Sequence, residues 1–332
     1  MAPGIQAFTR VYYGKEATRG TPVAPTRQFY GEGSGVLEPA LGLNFHEGEN
    51  RGRRARTYRV TQQVEDVTLG IRTPQGVSFD DMVWPLTQLK GGMTGVGGSA
   101  DKTWTAAPSM TAANNPEAFS LDVGDDTQNY RIQYAMMESW ELAMGRGDLT
   151  QLTAKLFGQR SIKTVAASPA VNNSVRIPSA LWTYKFATTF AGLAGASIQT
   201  NLVKSSKLHV DTGLLWDHYQ DGNLYGSQHV ETVIGGFLEL EVASTAVAIS
   251  EFYDKWTAQT QDYVRLKATS PVVLGGSFYS LQFDCPILYE DVKPIAKHDN
   301  GINIYTVRAQ LNDDGTNPPI SPTLVCSLAA IP

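Results

Sequence analysis

At 332 residues, with 42% hydrophobic and 18% charged side chains, the chain has room for about two ordinary domains and the apolar content to fill their cores. A formal net charge of −5 excludes wholesale wrapping of nucleic acid, which needs a basic surface to neutralise phosphates. The 31 glycines and 17 prolines favour many short strands over helix bundles, and the two cysteines, Cys285 and Cys326, show no CxxC or Cys/His spacing and give no disulfide framework.

In chain order, the amino terminus lacks a basic segment followed by a long apolar core, so no signal peptide is expected. The most apolar windows, near 186–196 and 324–331, fall short of the ~20 residues a spanning helix requires, so a soluble protein with no membrane partner is expected. Residues 4–36 read as an extended arm around Gly14-Lys15-Glu16-Ala17-Thr18-Arg19-Gly20-Thr21-Pro22-Val23-Ala24-Pro25-Thr26. With few core-forming side chains, such an arm is either frayed or laid on a neighbouring subunit. Lys15, Glu16, Arg19, Thr21 and Val23 are its candidate contacts.

From Leu37 to Trp84 the chain carries a pattern that returns. Leu37, Gly42, Leu43 and Phe45 recur as Leu208, Gly213, Leu214 and Trp216, each 171 positions on, and Val67, Leu69 and Ile71 recur as Leu238, Leu240 and Val242. Ser78 and Trp84 recur as Ser250 and Trp256, shifted by 172. Strand, polar loop, strand and capped helix kept in phase predict a duplicated β-rich domain. The boundaries are 1–165, a linker at 166–180, and 181–332. The first loop holds Arg51, Arg53, Arg54, Arg56 and then Arg59, whereas its counterpart, 216–229, holds Asp217, Asp221 and Tyr225 and no Lys or Arg. Two equivalent loops of opposite charge are candidates to project from one body and meet the next molecule.

Ser78 with Asp81 opens a helix by a capping-box-like pattern. Phe79, Met82, Val83, Leu86 and Leu89 form one apolar stripe, and Pro85 confines the helix to a short piece. Tyr130 to Met136 alternate as a strand whose phase breaks before Trp140, predicting a bulge or tight turn near 135–138. Gly145-Arg146-Gly147-Asp148 then makes a hairpin turn into a strand carrying Leu152, Ala154 and Leu156. Residues 160–180 read as linker, and the second copy supplies strands at about 204–210, 233–243, 262–269, 278–290, 303–311 and 323–329. Asp299-Asn300 matches either Asp125-Asp126 or Asp148, and the sequence does not choose.

No catalytic constellation emerges. The five histidines are scattered, with no HExxH or GxSxG, and the pairs Asp125-Asp126 and Asp313-Asp314 sit beside Gly and Asn where turn roles are commoner than acid–base roles. No cofactor, metal or enzymatic activity is expected.

The phrase running from Gly14 to Thr26 resembles the opening of major tail (tail tube) proteins of long non-contractile-tailed bacteriophages. Val123-Gly124-Asp125-Asp126 through Gly158, and Asp299-Asn300-Gly301-Ile302 through Ser327-Leu328, are similar to that family's mid-chain and closing sheets. The resemblance implies a mainly β chain in which each copy is a β-sandwich or half-barrel with a flanking α-helix, the copies assembling into a ring-shaped β-barrel. Rings of three chains (or six, as the alternative) would stack into a hollow tail tube, a conduit for genome ejection in the virion, made and assembled in the host cytoplasm. It implies as partners other copies of the chain, a tape measure protein, and tail terminator or tip proteins. DNA would pass without specific binding. On this reading the two charged loops reach the next ring, and Arg131, Gln133, Glu141, Gln151 and Lys155 are candidates to line the lumen. An acidic total would repel DNA phosphates, although two of these five are cations. The competing readings are a β-sandwich carbohydrate- or protein-binding module using aromatics such as Trp104, Trp182, Tyr219 and Tyr225, and a β-rich hydrolase whose carboxylates meet only in the fold.

Overall fold

The computed structural model describes residues 10–33, 38–47, 57–125, 127–165 and 174–332. The first half contains β1 (Arg10–Lys15), β2 (Arg27–Phe29), β3 (Glu32–Gly33), β4 (Glu38–Glu47), β5 (Thr57–Arg72), β6 (Lys102–Thr105), β7 (Phe119–Gly124), β8 (Asn129–Met144), β9 (Gln151–Gly158) and β10 (Arg160–Thr164). The second contains β11 (Trp182–Ala187), β12 (Val203–Asp211), β13 (Leu214–Asp217), β14 (Gln228–Glu231), β15 (Gly235–Ala243), β16 (Asp262–Leu274), β17 (Ser277–Asp299), β18 (Ile302–Leu311) and β19 (Ser321–Cys326).

Two strands, β8 and β17, are long enough to serve two layers each. The leading part of β8 lies between β7 and β10; beyond a register shift its trailing part lies between β9 and β12. The leading part of β17 lies between β16 and β19, and its trailing part runs beside β18. β1 pairs with β7 as β11 pairs with β16, and β5 sits between β4 and β9 as β15 sits between β12 and β18. The same pairing pattern therefore occurs twice. In this pattern the β17–β18 turn takes the place of the β8–β9 turn, which sets Asp299 and Asn300 against Asp148.

The β8–β12 pairing joins the halves into one inner layer, ordered β4-β5-β9-β8-β12-β15-β18-β17. β3 also pairs with β5, β13 and β14 form a separate ribbon, and the other strands form outer sheets, giving a mainly β sandwich with no closed barrel in the single chain. Alternation explains the packing. Leu152, Ala154, Leu156, Leu208, Val210, Leu238, Leu240 and Val242 turn inward, and their neighbours in sequence turn out. Trp140 and Trp182 both pack on Phe283, carrying one core across the two halves. Each large side chain buried there stabilises by about 1.5–3 kcal/mol.

The expected break in β8 falls at Tyr134, which adopts φ 51°, and at a bulge between Met137 and Ser139. A carboxylate from the amino-terminal segment holds it: buried Glu16 accepts from the Tyr134 amide (2.9 Å), the Ser120 hydroxyl (2.8 Å) and the Gly20 amide (2.7 Å). The capping pattern at Ser78 is also realised. Its hydroxyl accepts from the Asp81 amide and donates to the Asp81 carboxylate. The helix it opens is short, a 3-10 turn (Asp80–Met82) leading into α1 (Val83–Thr87), with Pro85 inside. It departs from the one-stripe expectation, because Trp84 and Thr87 are buried as fully as the stripe. Tyr13 stacks on the Trp84 ring and Phe29 meets it edge-on. The second helical stretch comprises α2 (Ala246–Ala248), a π-helical turn (Ile249–Tyr253) and α3 (Asp254–Thr257). Thr245 caps it, not Ser250, and it seals the core with Phe252.

Three segments differ from expectation. The amino-terminal segment is not a detached arm: β1 and β2 pair within the chain, and Val11, Tyr13 and Phe29 are core residues. Among its described residues the turn from Ala17 to Ala24 stays largely exposed. β10 occupies the start of the stretch read as linker and pairs with β8. β6 crosses between halves and pairs with β19, so the outer sheet of the second half is completed by a strand of the first.

Candidate assembly surfaces

Three surfaces follow from this architecture. The first is the outward face of the inner layer. Among the described residues its charged side chains come from six strands, and the cations named here are tied to carboxylates on nearby strands. Lys155 pairs with Glu138 (2.7 Å), Lys207 with Glu141 (3.1 Å), Arg308 with Glu239 (3.0 Å) and Glu290 (2.9 Å), and Lys297 with Glu241. His209 stacks on Phe237, whose ring also lies under the Arg308 guanidinium at 3.9 Å. Each exposed pair contributes little to stability, about 0–1 kcal/mol, but together they leave few free positive charges on the face.

The second surface is the β13–β14 ribbon, which leaves the second half and lies on the first. Trp216 packs against Tyr134 and Phe157, and Leu214 joins the same small cluster. The Tyr134 hydroxyl meets His229 Nδ1 at 3.0 Å, and Glu231 accepts from the amides of Asn114 and Asn115. Burial, seconded by the Arg19 guanidinium, pushes the His229 pKa down against the opposing pull of Glu231. Beyond the ribbon the loop turns back onto β5. The Glu65 amide donates to Leu224 O (2.7 Å), Gln159 Nε2 donates to Gly226 O, and Arg160 lies over the Tyr225 ring. His218 meets Asp66 at 3.0 Å.

The third surface is the pair of open sheet edges. Among the described residues β4 pairs only with β5, and the trailing part of β17 pairs only with β18. These edges terminate the inner layer at its two ends, leaving unpaired backbone groups of the kind that take up another strand.

The sequence-derived candidates distribute unevenly over these surfaces. Glu141, Gln151 and Lys155 lie together on the outward face of the inner layer, whereas Arg131 and Gln133 lie on the other side of the Tyr134 break. There Arg131 holds buried Asp122 bidentately and Gln133, itself buried, accepts from Arg160. Tyr225 rests against the chain's own first half. Asp217 accepts from the His218 amide and Asp221 from the Asn223 amide, both local turn contacts. Arg51, Arg53, Arg54 and Arg56 lie outside the described residues, and Arg59 falls in β5. Of the amino-terminal set, Lys15 pairs with Glu117, Arg19 donates to Pro116 O, and the Val23 amide donates to the Ser120 hydroxyl; Thr21 stays exposed.

Sequence reasoning missed the strap role of Glu16, which no local pattern announces, and the interlock through β6. Of the four aromatics expected to be exposed, Trp104 and Trp182 are instead buried, with Trp104 Nε1 donating to Leu328 O and Trp182 Nε1 to Thr150 Oγ1, whereas Tyr219 is exposed. Asp125 and the pair Asp313-Asp314 serve turns. Asp125 accepts from the amides of Thr127 and Gln128. Asp314 accepts from Thr316 and Asn317, and against its desolvation these bonds hold its pKa down to about 2. Cys285 and Cys326 are buried and unbridged. Among the described residues, no three His, Cys, Asp or Glu side chains gather as metal ligands would.

A β-sandwich whose inner layer ends in two open edges, and whose outward charges are mutually paired, is built as a structural subunit. The chain belongs to the phage tail tube protein family, whose model matches residues 8–315. Membership makes it a structural component of the virion tail, of the kind that assembles with copies of itself. No curated protein matches the chain.

Proposed function

We propose that three chains close into a ring, that rings stack into the hollow tail tube, and that the tube conducts the genome during ejection. The observation that carries this reading is the β8–β12 seam. It joins two half-layers of the same pairing pattern inside one chain, with Leu142 opposite Leu208. By that pattern the open trailing part of β17 corresponds to β8, and the open β4 corresponds to β12. The seam repeated between chains, β17 of one to β4 of the next, propagates the inner layer around an axis and removes both edges.

The two halves, divided at the connection 166–180, then act as two of six similar units in a ring of pseudo-sixfold symmetry. The outward face of the inner layer, including Glu141, Gln151 and Lys155, lines the bore. Its paired cations account for lysine and arginine in a channel that must not retain phosphate. Thr21 of the exposed turn is available for contacts with neighbouring subunits. A tape measure protein inside the tube and terminator or tip proteins at its ends complete the partners in this reading, with assembly in the host cytoplasm.

Negative-stain electron microscopy of the purified chain over a concentration series tests this. Hollow striated tubes whose rings contain three chains are expected. Rings of six chains would refute the seam argument, since each chain would then supply one unit only.

A further inference from the structure

We infer that the cleft between β15, the end of β18 and the 109–114 loop is the receptor for the arginine-rich loop of a second copy of this chain. The inference rests on the ring reading above and adds to it which segment docks where. It comes from comparing one occupied place with its unoccupied equivalent.

In the first half, β9 stops pairing at Val67↔Gly158, so the edge of β5 is open from Asp66 backward. The second half's loop fills that place: Leu224, Tyr225 and Gly226 run alongside, with Glu65 bridged to Tyr225 in parallel and Gln159 donating to Gly226 O. In the second half, the corresponding pair is Leu238↔Ala309, and one step beyond it Gln310 stands where Gln159 stands. Beyond Phe237 the edge of β15 is likewise open, and among the described residues no strand or loop pairs along it. Instead there is an open cleft of about 770 Å³, lined by Asn114, Glu231, Gly235, Gly236, Asn312 and Asp313. Val233 beside it is 84% exposed.

The segment equivalent to Leu224-Tyr225-Gly226, 171 positions earlier, is Arg53-Arg54-Ala55. It connects the paired residues Glu47 and Thr57 as 218–227 connect Asp217 and Gln228. The 218–227 loop serves the unit preceding its own, and by that rule the arginine-rich segment would serve not its own chain's second half but a unit of another chain. The occupant is therefore the next chain in the ring. Charge agrees: the four arginines of 51–56 are opposite in sign to a cleft lined by Glu231 and Asp313, with Asp314 adjacent. The basic loop thus recognises a lateral neighbour, and the parallel register sets Arg53 beside Gly235 and Arg54 beside Gly236.

The test is site-directed disulfide formation in the full chain. Gly236 is unsuitable, since at φ 148° an added Cβ would fall 2.1 Å from His209 O, whereas a Cβ at Gly235 meets open space. The probe is Arg53→Cys with Gly235→Cys. The control is Glu65→Cys with Tyr225→Cys, which closes the occupied place within one chain and reports that the fold and geometry are intact. A bridge requires Cα atoms within about 7 Å. Oxidised assemblies of the probe are expected to run as linked chains on a denaturing gel, and neither single variant should do so. Assemblies that form with the control bridge in place while the probe pair stays reduced would overturn the docking and leave the ring reading standing. Failure of the unsubstituted chain to form rings at any concentration would overturn both. If the probe itself blocks assembly, tubes of Arg54→Lys treated with a zero-length carboxyl–amine cross-linker decide the matter. Linkage to peptides containing Glu231 or Asp313 supports the docking, and its absence refutes it.

Discussion

Neutralising the carboxylates of the inner-layer face should convert it into a DNA-binding surface. The perturbation is Glu138→Gln, Glu141→Gln, Glu239→Gln and Glu290→Gln together, four isosteric changes at exposed or half-exposed positions. They release Lys155, Lys207 and Arg308, which these carboxylates hold at 2.7–3.1 Å. Three freed cations give a counterion-release slope of about −0.9 × 3, or roughly −2.7 in log affinity against log salt. Raising salt from about 50 to 200 mM should then weaken duplex DNA binding roughly 40-fold. Fluorescence anisotropy of a labelled duplex with the unassembled chain measures this directly, because the face is open in the single chain. The unsubstituted chain should show no saturable binding. A second variant losing four carboxylates elsewhere controls for net charge. Equal DNA affinity of the two variants, or binding by the face variant without a salt slope, would refute the claim that pairing silences these cations.

Two further outcomes follow. Arg27 is buried against Asp81 (3.4 Å) and Asp80 (3.7 Å), and burial already drives the Asp81 pKa up against the attraction of Arg27; Arg27→Met should cost about 3–5 kcal/mol by stranding those charges, and adding Asp81→Asn should recover part of it. At on the order of 2 °C per kcal/mol for a chain of this size, a melting shift under 2 °C for the single variant would contradict the account. The His229 pKa is lowered by burial and by Arg19, so the neutral ring is the folded form. Its contribution is present above the unfolded value of about 6.5 and lost as pH falls toward the depressed folded value. Hydrogen exchange over residues 214–231, corrected for intrinsic rates, should accelerate on going from pH 7.5 to 5.5, and His229→Gln should flatten that dependence. Unchanged protection would show that the ring's charge does not govern the ribbon.

Much of the layer structure was legible because strands with one buried face keep a period of two. Val67, Leu69 and Ile71, like Leu238, Leu240 and Val242, could be read as inward residues without coordinates, and so could the phase break in β8. Elements whose partners lie far away in sequence were not legible. β6 is four residues, Lys102-Thr-Trp-Thr, too short for periodicity, and its only core side chain, Trp104, looked like an exposed aromatic. β10 hides in polar sequence because two of its five side chains are exposed and none is buried. The amino-terminal phrase looked like a detached arm since buried Glu16, besides the local Gly20 amide, is satisfied by Ser120 and Tyr134 more than a hundred positions away. The opposite charges of the two loops were visible at once; that one of them lies on its own chain was not, because docking depends on where β9 stops.

The interlock of the halves has a mechanical consequence. β8–β12, β6–β19 and the Ser327 amide and hydroxyl donating to Asp80 fasten the halves at separate places, so neither can swing away without opening both sheets. Heating should therefore melt the chain as one unit rather than as two. In a closed ring of such chains the joints alternate in kind. On the proposed ring, every second joint would be reinforced by strand exchange and chain continuity, and the intervening ones would be the first to part under load.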